Sequence, residues 1–454
     1  MHHRLRAALG QLRGNLAIYL RPRAIEEVCR QQGHTWRKRV LDPVTTIHLF
    51  ILQVLAGNTA MTHLRHLAHL PVTDSAYCQA RSRLPLAVFQ ALLQRIGSAL
   101  RPLTEQEPGN WLGHRLILVD GSSFSMPDTP ELQAHFGQSK KAKPGCGFPV
   151  AHLMVVVHAA TGLLLQAFAA PLHSHDMGLV ALAHPGLEPG DVLVADRGFC
   201  SFAHLALLLA RGVHAIFRVH QKQIVDFTPG RPHLRPTQKR APKGMPRSRW
   251  LYALGALDQV VEYLKPATCP EWMTAQEYAR LPESIRVREL RYRISAPGFR
   301  TREVTLVSTL LDAEAYPAGE LARAYGLRWQ VEVNLKHLKT TMGLEVLSCK
   351  TYEGVLKELT VFSLVYNLVR VVMLEAAERQ GVEPDRISFV DALRWLTTAR
   401  PGDELPRLVV NPQRPNRVDP RVIKRRPKNY PWISQPRAVL RKRLLEQQLV
   451  DSAA

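Results

Sequence analysis

The sequence predicts a mixed α/β protein: an α/β core interrupted by a β-rich insertion, behind an N-terminal helical domain. Three observations carry this reading. Before position 110 apolar residues recur at helical spacing; from 111 onward short strand patterns alternate with helical ones; after 220 a Pro-, Gly- and Lys/Arg-rich loop leads into four strand-like runs.

The 454 residues are too many for one ordinary domain, and 46% hydrophobic content with 7% aromatics describes a globular chain, neither disordered nor fibrous. Sixty Lys+Arg against 38 Asp+Glu leave a net charge of +22. A folded chain this basic calls for an anionic partner. Nucleic acid comes first, because Lys and Arg that neutralise duplex phosphates release counterions; an anionic membrane surface comes second. The longest apolar runs, 49–56 and 153–170, fall short of the ~20 residues a bilayer span requires, the second being broken by His158 and Gly162. No apolar segment with a small-residue cleavage site opens the chain, so a cytoplasmic location away from membranes is expected. The six cysteines stand singly and read as reduced and structural.

Within the helical domain, 1–110, helices are expected at 43–55, 61–70 and 85–100. Between the last two, Asp74 or Ser75 can cap a short helix that shows Tyr77, Gln79, Arg81 and Arg83. That suits a helix-turn-helix with Arg81 and Arg83 on DNA; a solvated basic helix is the alternative. From 111 to 220 lies the first part of the core. Arg115-Leu116-Ile117-Leu118-Val119 reads as a buried strand ending at Asp120-Gly121, a hairpin turns at Ala160-Thr161-Gly162, and a second buried strand, 191–195, ends at Asp196. The insertion, 221–315, opens on a basic loop: 211–250 holds ten Lys or Arg against Asp226 alone, a net +9. Strands follow at 250–257, 259–264, 286–294 and 303–309. Helices return at 317–340 and 352–379, so that 316–375 closes the core, and 376–454 is a helical, basic tail with clusters at 421–428 and 437–443.

Carboxyl ends of strands are where α/β sheets collect ligands and catalytic groups. Asp120 and Asp196 both sit at such ends, although an Asp-Gly there is more often a turn. A third acid comes from 325–339. At ~100° per residue from Tyr325, Arg328 falls at about 300°, Glu332 at about 340°, Lys336 at about 20° and Lys339 at about 320°. One carboxylate therefore lies among three cations and a phenol, a face suited to phosphate. Taken alone, Arg328 and Glu332 would be an ordinary surface pair contributing ~0.3–0.5 kcal/mol; the two strand-end aspartates tip the balance.

These residues resemble the DDE transposases of bacterial insertion sequences, specifically the insertion sequence 4 group. The likeness rests on Asp120-Gly121-Ser122, on Ala195-Asp196-Arg197-Gly198-Phe199, and on Tyr325-x2-Arg328-x3-Glu332-x6-Lys339, which matches the group's Tyr-Arg-Glu-Lys signature over a core of about 115–370. The resemblance implies a ribonuclease-H-like core in which Asp120, Asp196 and Glu332 hold two Mg²⁺ ions, with Mn²⁺ a plausible substitute. Such a site hydrolyses a phosphodiester to free a 3′-OH and then uses that 3′-OH for strand transfer. It further implies double-stranded DNA partners (terminal inverted repeats and target), a homodimer in the synaptic complex, and phosphate contacts from Tyr325, Arg328 and Lys339, with Lys336 and Arg197 beside them. An aromatic from the insertion would stack on a flipped base in hairpin opening, and Trp250 is the candidate. Two alternatives stay open: a nuclease of the same fold without strand transfer, and a domesticated DNA-binding protein without catalysis.

Three other patterns are weaker. His173-Ser174-His175-Asp176 lacks a supplied third zinc ligand and reads as a loop at the floor of the site. The 140–147 loop lacks the phosphate-loop order, and Ser122 and Ser123 lack a nucleophile elbow.

Overall fold

The structure, a computed structural model, describes residues 18–105, 110–140, 142–174, 176–232, 245–294, 303–399, 403–413 and 433–451. The basic cluster at 421–428, all four Lys and Arg between 233 and 244, and His175 lie outside the described residues.

Among the described residues five helices come first: α1 (Pro22–Gln31), α2 (Pro43–Leu55), α3 (Met61–Ala68), α4 (Asp74–Arg83) and α5 (Leu86–Glu105). Asp42 caps α2 by accepting from the Thr45 N–H at 2.7 Å, and Pro43 takes the first helical position, where no N–H is needed. Helix α2 is apolar nearly all round and is accordingly buried nearly all round. On α4 the cap is Thr73, not the expected Asp74 or Ser75: its hydroxyl accepts from Ala76 N at 3.1 Å.

The sheet follows: β1 (Leu116–Ser125), α6 (Pro130–Phe136), β2 (Val150–His158), β3 (Leu164–Pro171), α7 (Asp176–Ala183), β4 (Val192–Ala195), α8 (Phe202–Ala210) and β5 (His214–Arg218). Then come β6 (Arg247–Gly255), β7 (Asp258–Leu264), α9 (Ala275–Ala279), β8 (Ser284–Arg293) and β9 (Glu303–Ser308). Among the described residues, nine strands form one mixed sheet in the order β3-β2-β1-β4-β5-β9-β8-β7-β6, parallel only across β1/β4 and β4/β5. The four strands expected at 250–309 are present and extend the core sheet, because β9 pairs with β5, Ile216 opposite Ser308. Strand β1 does not end at Asp120. Its antiparallel partner β2 carries the ladder on to Ser125 opposite Val150, so the Gly-Ser-Ser that reads as a turn is strand.

Alternate strand residues feed two apolar layers. Leu116, Leu118, Val192 and Val194 pack toward the N-terminal helices and α12 (Tyr352–Gln380), whereas Ile117, Val119, Leu193 and Ala195 pack toward α7 and α8. Helix α12 starts at the Thr351 cap and stops at Gly381, whose φ of +62° suits glycine. By length and composition it could cross a membrane, contrary to the reading that no such segment exists; 83% of its most apolar window is buried inside the fold, as a core helix would be. Beyond it lie α13 (Phe389–Thr398) and α14 (Arg437–Asp451). The expected basic cluster at 437–443 is the start of α14, where Arg437 pairs with Asp128 at 3.1 Å and lies 4.0 Å over the Phe148 ring.

Candidate active site

Strands β1 and β4 run parallel with Leu118 opposite Val194. Each carries an aspartate two residues further on, and residues two apart in extended chain share a face. Asp196 keeps extended backbone (φ −76°, ψ 174°). Asp120 and Asp196 therefore leave neighbouring strands, ~4.8 Å apart, on the side covered by α10 (Ala318–Gly326) and α11 (Trp329–Lys336).

Those helices bring the third acid. Val331, Leu335 and Leu338 pack into the layer that holds Leu118 and Phe124, which lays the start of α11 along β1. Arg328 Nη2 donates to Glu332 Oε1 at 2.7 Å, and its Nη1 lies 3.9 Å from Asp120 Oδ2. Tyr325 Oη donates to Asp196 Oδ1 at 3.3 Å. Lys339 Nζ donates to Ser122 Oγ at 2.9 Å, and Ser122 shares the Asp120 face of β1. Asp120 Oδ1 accepts from the Gly121 N–H at 2.8 Å. Burial nonetheless pushes the Asp120 carboxyl up to about 6; Glu332 and Asp196 add to the rise, and the Gly121 N–H and Arg328 oppose it. Burial, with Asp196 beside it, pushes the Tyr325 phenol well above its usual range.

Among the described residues, no three His, Cys, Asp or Glu side chains stand close enough to share one ion in this arrangement; Arg328 stands between Asp120 and Glu332. The donor set still fits a hard divalent cation. It is all carboxylate oxygen, the hard donor such a cation takes.

Residues 111–368, more than half of the chain, match the family of the transposase DDE domain. The chain belongs to the DDE transposase family. It is a DNA transposase of the insertion-sequence kind, an enzyme that acts on DNA. It is 27% identical over 379 residues to the Escherichia coli K12 transposase InsG for insertion sequence element IS4, covering 79% of this chain and 78% of that one. The putative transposase InsZ of the same strain is 23% identical over 219 residues, 48% of this chain and 68% of that one. A piggyBac transposase synaptic complex with hairpin DNA aligns at a TM-score of 0.42 and 10% identity, over 84% of this chain and 78% of that chain.

Several expectations about the transposase's site are corrected. The single helix assumed over 317–340 is two helices joined at Leu327 and Arg328, followed by a π-helical turn at His337–Thr341, so one helical wheel does not relate Tyr325 to Lys339. Arg81 is not on a DNA-facing surface. It is buried, donates to Gln53 Oε1 at 2.9 Å and Cys349 Sγ at 2.6 Å, and stacks 3.8 Å over Phe50; Tyr77 is buried with it. Arg83, by contrast, is exposed and lines a groove of about 430 Å³ with His34, Trp36, Arg37 and Arg39. Trp250 sits on β6, the far edge of the sheet and five strands from β4, roughly 24 Å at ~4.8 Å per strand, so the structure does not bring it to the acids. Arg197 and Lys336 are exposed beside the site. Asp176, which the sequence offers only as part of a weak zinc pattern, pairs instead with His152 at 2.9 Å. Ser122 was weighed only as a nucleophile; the two-residue alternation along β1 is the signal that links it to Asp120.

Proposed function

We propose that this transposase cuts at the ends of an insertion sequence and joins the freed ends to target DNA by cut-and-paste transposition, through a ribonuclease-H-like core in which Asp120, Asp196 and Glu332 act together. The observation that carries the reading is Asp120 and Asp196 at one level of two parallel strands, with Arg328 spanning from Asp120 to Glu332. The sheet order β3-β2-β1-β4-β5 fits such a core.

Asp120, Asp196 and Glu332 would hold two Mg²⁺ ions, or Mn²⁺ in their place, and these would supply Lewis acidity toward a phosphodiester. The chain's own groups do the rest. Arg328 exchanges its carboxylate contacts for a phosphate oxygen, which its planar fork suits. Tyr325 and Lys339 hold flanking phosphates from the floor of the site, and Lys336 and Arg197 add positive charge at the rim. Attack by water forms a P–O bond on the phosphate as its P–O3′ bond breaks, which leaves a 5′-phosphate and a free 3′-OH; attack by that 3′-OH on a target phosphate forms a new P–O bond as the target's own P–O3′ bond breaks and releases a target 3′-OH. Terminal inverted repeats lie along the groove of Arg37, Arg39 and Arg83, two copies of the chain pair two ends, and the reaction takes place in the bacterial cytoplasm.

In a gel-shift and nicking assay with end DNA, Asp196→Ala retains binding and loses nicking. Retained nicking rejects the triad. A precut end incubated with plasmid yields joined product; hydrolysis alone would favour a nuclease.

A further inference from the structure

Each site aspartate is followed closely by a glycine, Gly121 after Asp120 on β1 and Gly198 in the short 3-10 turn after Asp196, and one side chain, Asp176, approaches both. His152, opposite Ser123 on β2, shares the face of Met154 and Val156, which pack toward α7. Its Nε2 donates to Asp176 Oδ1 at 2.9 Å, and its Nδ1 faces the Ser174 carbonyl at 3.2 Å. Two acceptors for two ring nitrogens suit an imidazolium, and the Asp176 hydrogen bond raises the pKa of the ring accordingly.

The two oxygens of Asp176 divide between the glycines. A Cβ on Gly121 would lie 3.0 Å from His152 Nε2 and 3.3 Å from Asp176 Oδ1, and one on Gly198 would lie 3.9 Å from Asp176 Oδ2. Neither glycine has a positive φ. At Gly121 the missing side chain is what admits the pair to the backbone; at Gly198 the approach is looser.

From these contacts we propose that His152 and Asp176 are a positioning pair that braces, from behind, the backbone beside Asp120 within β1 and just after Asp196 at the end of β4, and sets the spacing at which the two carboxylates hold a divalent cation. This rests on the carboxylate reading above. Neither residue touches substrate; both act through nearby backbone, at Gly121 next to Asp120 and at Gly198 two residues after Asp196, as partners behind metal ligands do.

The test is Mn²⁺ binding by the full chain without DNA, read from the free-ion electron paramagnetic resonance signal, for wild type, His152→Ala, His152→Gln, Asp176→Asn and Asp120→Asn. His152→Ala and Asp176→Asn should bind Mn²⁺ about tenfold or more weakly. His152→Gln, whose amide still donates to Asp176, should stay within about threefold of wild type. Circular dichroism and end-DNA gel shift should be unchanged. Wild-type affinity in Asp176→Asn overturns the proposal, and because its side chain is 43% exposed this variant decides even if His152→Ala fails to fold. Wild-type affinity in Asp120→Asn would instead overturn the carboxylate reading, and the brace with it.

Discussion

Arg328 donates to Glu332 at 2.7 Å while its other terminal nitrogen lies 3.9 Å from Asp120, so one guanidinium spans two of the three acids. Without metal it is the counter-charge of the cluster; in the proposed reaction it turns to a phosphate oxygen. Arg328→Ala should lower end cleavage by about 10²–10³-fold while leaving Mn²⁺ affinity at least as high as in wild type. Single-turnover nicking beside Mn²⁺ titration checks both halves.

Asp120 gives a pH signature. Its folded-state pKa of about 6 lies above the ordinary 3.8, so between those values the folded chain binds the proton that the unfolded chain releases. The carboxylate therefore destabilises the fold, fully above about pH 6 and not at all below 3.8. Asp120→Asn should be more stable than wild type by about 1–3 kcal/mol at pH 8, and the gap should close as pH falls toward 4, in urea melts without metal. Cleavage by wild type should fall as pH drops through about 6.

A second signature has the opposite sign. His184 and His204 stack with Nε2 atoms 3.0 Å apart, and burial lowers their pKa values to about 4 and about 3. Below the ordinary 6.5 the unfolded chain takes up protons that the folded chain refuses, so this pair costs stability as pH falls from 6.5 toward 4. His184→Phe should blunt the acid-induced drop in melting temperature; an unchanged slope from pH 6.5 to 4 would contradict the assignment.

The two arginines at the end of α4 should part company. Arg81→Ala removes a buried, hydrogen-bonded cation and should cost about 2–4 kcal/mol of stability. Arg83→Ala should leave stability alone and reduce the salt slope of end-DNA binding by about 1. Trp250→Ala should cleave DNA ends within about twofold of wild type.

What could be read from the chain, and what could not, divides along range of interaction. The limits of α2, the four strands after 245 and the span of α12 follow from local pattern, and the structure has them close to where they are expected. The spacing of Tyr325, Arg328, Glu332 and Lys339 marks three residues that meet Asp196, Asp120 and Ser122, and the acid that Arg328 joins to them. The helical wheel failed because Gly326 ends one helix before Trp329 starts the next. Arg81 misled because what buries it, Cys349, lies 268 residues away. Asp120 seemed to end a strand because the ladder that continues it belongs to β2, and Trp250 seemed near the acids because sequence does not reveal that β9, not β6, joins β5.

The most direct test is anomalous scattering from Mn²⁺ in crystals of the protein bound to a precut end. The account predicts peaks in contact with Asp120, Asp196 and Glu332, next to the terminal 3′-OH. Peaks held by other side chains, or none at these three in crystals that show ordered end DNA, would contradict it.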